Sequence, residues 1–222
     1  MKKTVIGLLM AAVSLAIMAY VENVIAPVYL IKSACKLILF CLPVIIYACM
    51  SNQSIKEVIG LNKMKPARWL YLGMVLAYVG IIAVFLIVRE QLDLENIRTS
   101  LINKEQLTRE NCLFVFAYII VVNSFLEESF FRGFIYQLFE KQGNGKTGMI
   151  VSAICFALYH IGMVSNWFNP LIFVLCITGL ALCGVILQIV CLKFGSLKAS
   201  WLIHGCANLA INTIGVILIF QL

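Results

Sequence analysis

The chain has 222 residues, 63% of them hydrophobic and 12% charged, with a formal net charge of +7. Those proportions exclude a soluble domain, and long apolar runs exclude an outer-membrane barrel, whose strands read as short alternating segments. The basic balance suits a protein bordered by anionic lipid, and no dense Lys/Arg patch with interleaved aromatics points to nucleic acid.

An all-α fold follows: a polytopic transmembrane helical bundle of about seven spans in the cell membrane. Met1-Lys2-Lys3 and the apolar run behind it imitate a secretory signal. The run over 5–31 is too long for that and has no clear cleavage site, so a retained first span is expected over 4–26. Glu22, near its end, reads as interfacial. The second span is expected over 34–50, kinked by Pro43. A polar loop over 51–68 carries Lys56, Lys63, Lys65 and Arg68. The third span, 69–88, opens on the interfacial aromatics Trp69 and Tyr71.

Residues 89–111 form the one long polar segment. Leu92, Leu94, Ile97, Leu101, Ile102 and Leu107 recur there among Arg98, Lys104, Glu105, Arg109 and Glu110. The pattern suits an interfacial amphipathic helix, with a solvated linker as the alternative. Spans four to seven are expected over 111–140, 147–163, 171–192 and 198–220. A Gly143-Asn144-Gly145 turn, a loop at 166–170 and a Gly195-Ser196 turn separate them. Two regions result: 1–110, with three spans and the polar segment, and 111–222, the expected catalytic core. With the N-terminus cytoplasmic, ten basic residues fall in inside segments and six outside, the latter including Lys32 and Lys36. The nine cysteines show no metal-ligand spacing and are expected as free thiols, only Cys35 and Cys112 being placed to react.

Chemistry concentrates in three short pieces of the second region. Asn123-Ser-Phe-Leu-Glu127-Glu128-Ser-Phe-Phe-Arg132 sets two carboxylates and a guanidinium in an apolar span. Each ionisable group at that depth costs roughly 2.5–3.5 kcal/mol on insertion scales, which points to a functional site facing the bundle interior. Neighbours on a helix diverge by about 100°, so Glu127 and Glu128 face different ways, while Arg132 is spaced to pair with Glu128. The only two histidines, His160 and His204, lie in later apolar helices, the second followed at i+4 by Asn208. Counted from the helix ends, Glu127, His160 and Asn208 fall roughly 15–20 Å from one membrane face, with His204 about a turn shallower.

A desolvated carboxylate and a neighbouring imidazole can take a proton from water, and an imidazole and an amide can donate to an oxyanion. The set describes amide hydrolysis without a covalent intermediate. Two histidines and a glutamate, Glu127, His160 and His204, could instead hold zinc, but no His-Glu-x-x-His occurs; no metal or other cofactor is favoured. Asn123, Tyr159 and Asn212 are polar residues left without a role.

These motifs resemble the CPBP family, also called Abi, of CAAX proteases and bacteriocin-processing enzymes. The resemblance rests on Glu127-Glu128-Ser-Phe-Phe-Arg132, Phe156-Ala-Leu-Tyr-His160 and His204-Gly-Cys-Ala-Asn208, and covers about 112–215. It implies an intramembrane endopeptidase related to type II CAAX prenyl proteases, acting on membrane-associated peptides or precursors. Glu127 and His160 would activate water, His204 and Asn208 would form the oxyanion hole, and Glu128 and Arg132 would hold the helices, with Phe156 supporting them. The alternatives are a non-enzymatic protein of bacteriocin self-immunity or membrane scaffolding, and a proton or solute transporter using Glu127 as a relay. The partners expected are a peptide or lipid-associated peptide substrate and membrane lipid, with no nucleic acid.

Overall fold

The computed structural model describes residues 2–65, 68–164 and 168–220; Asn166 and Trp167, in the expected fifth loop, lie outside them. Among the described residues all regular structure is helical. Seven helices form the bundle: α1 (Lys2–Ile25), α2 (Tyr29–Ser51), α3 (Arg68–Gln91), α4 (Cys112–Glu140), α5 (Gly145–Tyr159), α6 (Pro170–Phe194) and α7 (Leu197–Phe220). All but α5 are long and apolar enough to cross a membrane, making this a multi-pass helical bundle. The 15 residues of α5 reach about 22 Å at 1.5 Å each, short of a hydrocarbon core of about 30 Å. The expected span at 147–163 is therefore two pieces. The helix closes at Tyr159, and a single turn, Ile161–Val164, follows His160.

The second span also differs from expectation. It begins at Tyr29, directly after Pro27 and Val28 and earlier than expected, so Lys32 joins Lys36 within the helix, and neither is an outside loop charge. Both are buried, at 5% and 8% exposure. Burial is tolerated because each ammonium has acceptors. Lys32 Nζ reaches Glu22 Oε1 at 3.0 Å and Glu105 Oε1 at 2.7 Å, and Lys104 approaches Glu22 at 3.8 Å. Glu22, expected at the interface, is buried in this cluster. Pro43 lies inside α2, which stays helical to Ser51.

The polar segment 89–111 is broken where one amphipathic helix was expected. Asp93 caps a short helix, Leu94–Thr99, that runs into a π-turn, Ser100–Lys104. Part of its apolar side packs inside the protein: Ile97 is buried, and Leu101 and Leu107 pack with Cys112, Phe116 and Ile219 between the start of α4 and the end of α7.

The core lies where α1 and α2 meet α4. Phe40, Phe130, Phe131 and Phe134 are fully buried, Phe40 stacked on Phe130 with centroids 4.2 Å apart and edge-on to Phe131. Lipid gives apolar side chains no reason to cluster, so close packing of this kind carries helix association in a membrane. The loop after α2 is drawn into the bundle. A short helix, Ile55–Val58, carries a Ser54/Glu57 capping box, and Gly60 accepts the Leu197 amide of α7 at 3.0 Å. A Cβ on Gly133 would stand 2.6 Å from the Ile59 Cα, so only glycine lets α4 meet that loop backbone to backbone.

Candidate active site

Helix α4 is regular only in parts. A π-turn over Ile119–Asn123 precedes Ser124–Glu128, and a second, Ser129–Ile135, follows it. Wide turns of this kind inside helices recur at functional sites. Here they bracket both glutamates, which are buried at 2% and 0% exposure.

A π-turn weakens the internal carbonyl ladder, and at membrane depth a carbonyl needs a partner. Helix α7 supplies partners along one face. Trp201 Nε1 donates to the Val121 carbonyl at 3.0 Å, Asn208 Nδ2 to Ile119 at 3.3 Å and Asn212 Nδ2 to Phe116 at 3.1 Å. Gly205, between them, lets the helices close; a Cβ there would lie 3.1 Å from the Ile120 oxygen. This seam fixes how deep His204 sits against α4.

The expected residues converge, with one exception. His160 Nε2 lies 4.0 Å from Glu127 Oε2, and His204 Nε2 lies 3.7 Å from the same oxygen. Each imidazole is anchored through its other nitrogen. His160 Nδ1 is 2.7 Å from the Phe156 carbonyl, which can only accept, so Nδ1 carries the proton and Nε2 presents a lone pair. This contact also satisfies an acceptor at the end of α5. His204 Nδ1 donates to Glu128 Oε1 at 2.9 Å, and Arg132 Nη1 lies 3.5 Å from that oxygen. Glu128 therefore pairs with Arg132 as its spacing predicts, and orients His204 as well. The exception is Asn208: although one turn from His204, it directs its amide to Ile119.

Phe156 is the hub of the site. Its ring meets His160 edge-on at 4.5 Å and His204 at 5.8 Å between centroids, and the Arg132 guanidinium carbon lies 4.0 Å from its centre. One aromatic side chain thus spaces both imidazoles and covers the cation.

Two further residues complete the site. Lys36 Nζ lies 2.7 Å from Asn123 Oδ1 and 3.2 Å from Glu127 Oε1, and Asn123 Nδ2 donates to the same Glu127 oxygen at 3.0 Å. In the sequence Lys36 counts only as an outside charge at the start of the second span, and Asn123 has no role. The available signals were the i+4 spacing of Lys32 and Lys36 after Pro27, and of Asn123 and Glu127 in the fourth span.

As a metal site the set is incomplete in fit. Two Nε2 atoms and one Oε2 face one another with each Nδ1 anchored, which suits zinc ligation in kind. Yet the carboxylate already holds the Lys36 ammonium, and among the described residues no three His, Cys, Asp or Glu side chains form a metal-binding group. All nine cysteines are free thiols. Cys112, expected to be reactive, is fully buried against Phe116 and Ile219.

A family model described as type II CAAX prenyl endopeptidase Rce1-like matches residues 109–210. No curated protein and no solved structure matches the chain.

Proposed function

Residues 109–210 belong to the type II CAAX prenyl endopeptidase Rce1-like family, a family of proteases, and on that premise we propose that the chain cleaves membrane-associated peptides or precursors with a water activated at Glu127 and His160. One observation carries the proposal: two imidazoles turn their free Nε2 atoms toward one oxygen of a buried glutamate. The 4.0 Å between Glu127 Oε2 and His160 Nε2 is too wide for a direct hydrogen bond and suits a bridging water.

The water gives a proton to this pair as its oxygen bonds to the scissile carbonyl carbon. The carbonyl oxygen becomes an oxyanion facing His204 Nε2. To donate there while Nδ1–H is held by Glu128, His204 must carry both protons, and two carboxylates flank it to balance that charge. An asparagine amide has two N–H groups; one of those on Asn208 serves Ile119, and the other is our second oxyanion donor. Collapse of the tetrahedral species breaks the C–N bond, and the proton taken from water passes to the leaving amine, giving an acid and an amine.

We favour this metal-free course over a zinc one because a second cation on the Glu127 carboxylate would lie against the Lys36 ammonium. With the N-terminus cytoplasmic, removing Lys32 and Lys36 from the outer loops changes the basic count from ten against six to ten against four. We infer that the substrate enters laterally from lipid or from the cytoplasmic face.

The test compares the peptides of cells carrying the wild-type protein with those of cells carrying Glu127→Gln. Cleavage products should vanish in the variant while membrane insertion persists, and purified wild-type protein should cut the same peptides without stoichiometric zinc. Unchanged products in Glu127→Gln and His160→Ala would refute the assignment.

A further inference from the structure

Among the described residues of the family-matched segment, none supplies a counter-charge dedicated to Glu127. Arg132 pairs with Glu128, and His204 is tethered to Glu128 as well. The lysine that does meet Glu127 comes from α2, more than 70 residues before the matched segment begins. Its neighbour one turn away, Lys32, is engaged by Glu22 and Glu105, so the two lysines serve separate clusters.

Lys36, Asn123 and Glu127 form a closed triangle. The ammonium donates to Asn123 Oδ1 and to Glu127 Oε1, and the Asn123 amide donates to that same Oε1. The ammonium also lies 5.0 Å from the centre of the Tyr159 ring, the residue before His160. Both donors therefore act on Oε1, while Oε2 faces His160 and His204. The last torsion of a glutamate is soft and roughly two-fold, so a carboxylate without such donors swings freely. Two donors on one oxygen, one charged and one held by its own acceptor contact, remove that freedom.

We propose that Lys36, with Asn123, is a positioning residue for hydrolysis: the pair clamps Glu127 Oε1 so that Oε2 stays aimed at the water shared with His160. This rests on the endopeptidase reading. It makes α2 part of the reaction machinery, although α2 lies outside the matched family segment. The role is to orient another residue, so it shows in turnover and not in substrate affinity, and a misaimed base costs on the order of 10²-fold in rate.

The experiment uses full-length protein in liposomes with an internally quenched peptide library, from which one peptide cut by the wild type is chosen. Lys36→Met should lower kcat about 10²-fold with KM within about twofold, and Lys36→Arg should recover about tenfold of that loss. Lys36→Gln, which keeps donors but no charge, carries the same comparison where the methionine variant yields no folded protein. A second readout needs no substrate. In protein labelled with ¹³C-glutamate, the infrared carboxylate band assigned by its loss in Glu127→Gln should shift in Lys36→Met and Asn123→Ala. Wild-type kcat in folded Lys36→Met beside an inactive Glu127→Gln, or an unmoved band, overturns the clamp alone. Full activity of Glu127→Gln overturns the endopeptidase reading on which it rests.

Discussion

Arg132 is fully buried, beside the Glu128 carboxylate and over the Phe156 and Phe131 rings; among the described residues no acceptor makes a directed hydrogen bond to its guanidinium nitrogens. Removing such a cation takes from the buried Glu128 carboxylate its guanidinium and leaves it the His204 contact. Arg132→Met should therefore destabilise the protein by about 3–5 kcal/mol, and adding Glu128→Gln should recover part of that. Unfolding of the detergent-solubilised protein measures both. The Glu128–Arg132 pair was legible in the sequence because an i+4 interval on a helix is a distance. The tether from Glu128 to His204 was not, because an interval of 76 residues carries no distance until helices α4 and α7 are packed. Lys36 was hidden for a different reason: a lysine near an apolar run reads as a flank, and only its distant acceptor Asn123 explains its burial.

At the scale of elements, apolar run length located the seven helices to within a few residues, apart from the start of α2 and the break after Tyr159. The π-turns of α4 left no such mark. Hydrophobic pattern does not register one extra residue in a turn when both faces are apolar, as in Ile119-Ile120-Val121-Val122. Their signature lay instead on the partner helix, in the spacing of Trp201, Gly205, Asn208 and Asn212, and reading it requires knowing that α7 lies against α4. The Ser54/Glu57 box is a local four-residue motif inside what was expected as a polar loop. The Ser54 backbone N–H and hydroxyl, at 2.7 and 3.0 Å, hold the Glu57 carboxyl below its ordinary pKa. A folded value below the unfolded one stabilises the box above the ordinary glutamate pKa of about 4.3, and this is lost as pH falls through the folded value. Amide exchange at 54–58 should thus accelerate only on acidification below about pH 4.3, and Glu57→Gln should abolish that dependence.

For the whole molecule, the buried Glu22–Lys32–Glu105 cluster joins the end of α1, the start of α2 and the polar segment before α4. Lys32→Met takes the ammonium from two carboxylates, of which Glu22 keeps, among the described residues, the more distant Lys104. A loss of about 1.5–3 kcal/mol is expected, with hydrogen exchange rising first over 94–104. Composition foretold a bundle but not this arrangement, since long-range charge pairing has no periodicity to reveal it. The origin of Lys36 bears on how such a protein can be recombined. A gene splice grafting the C-terminal spans onto foreign N-terminal ones would deliver a deep-lying acid without its cation, and the hybrid would inherit every recognisable motif yet start with its base pointing nowhere in particular.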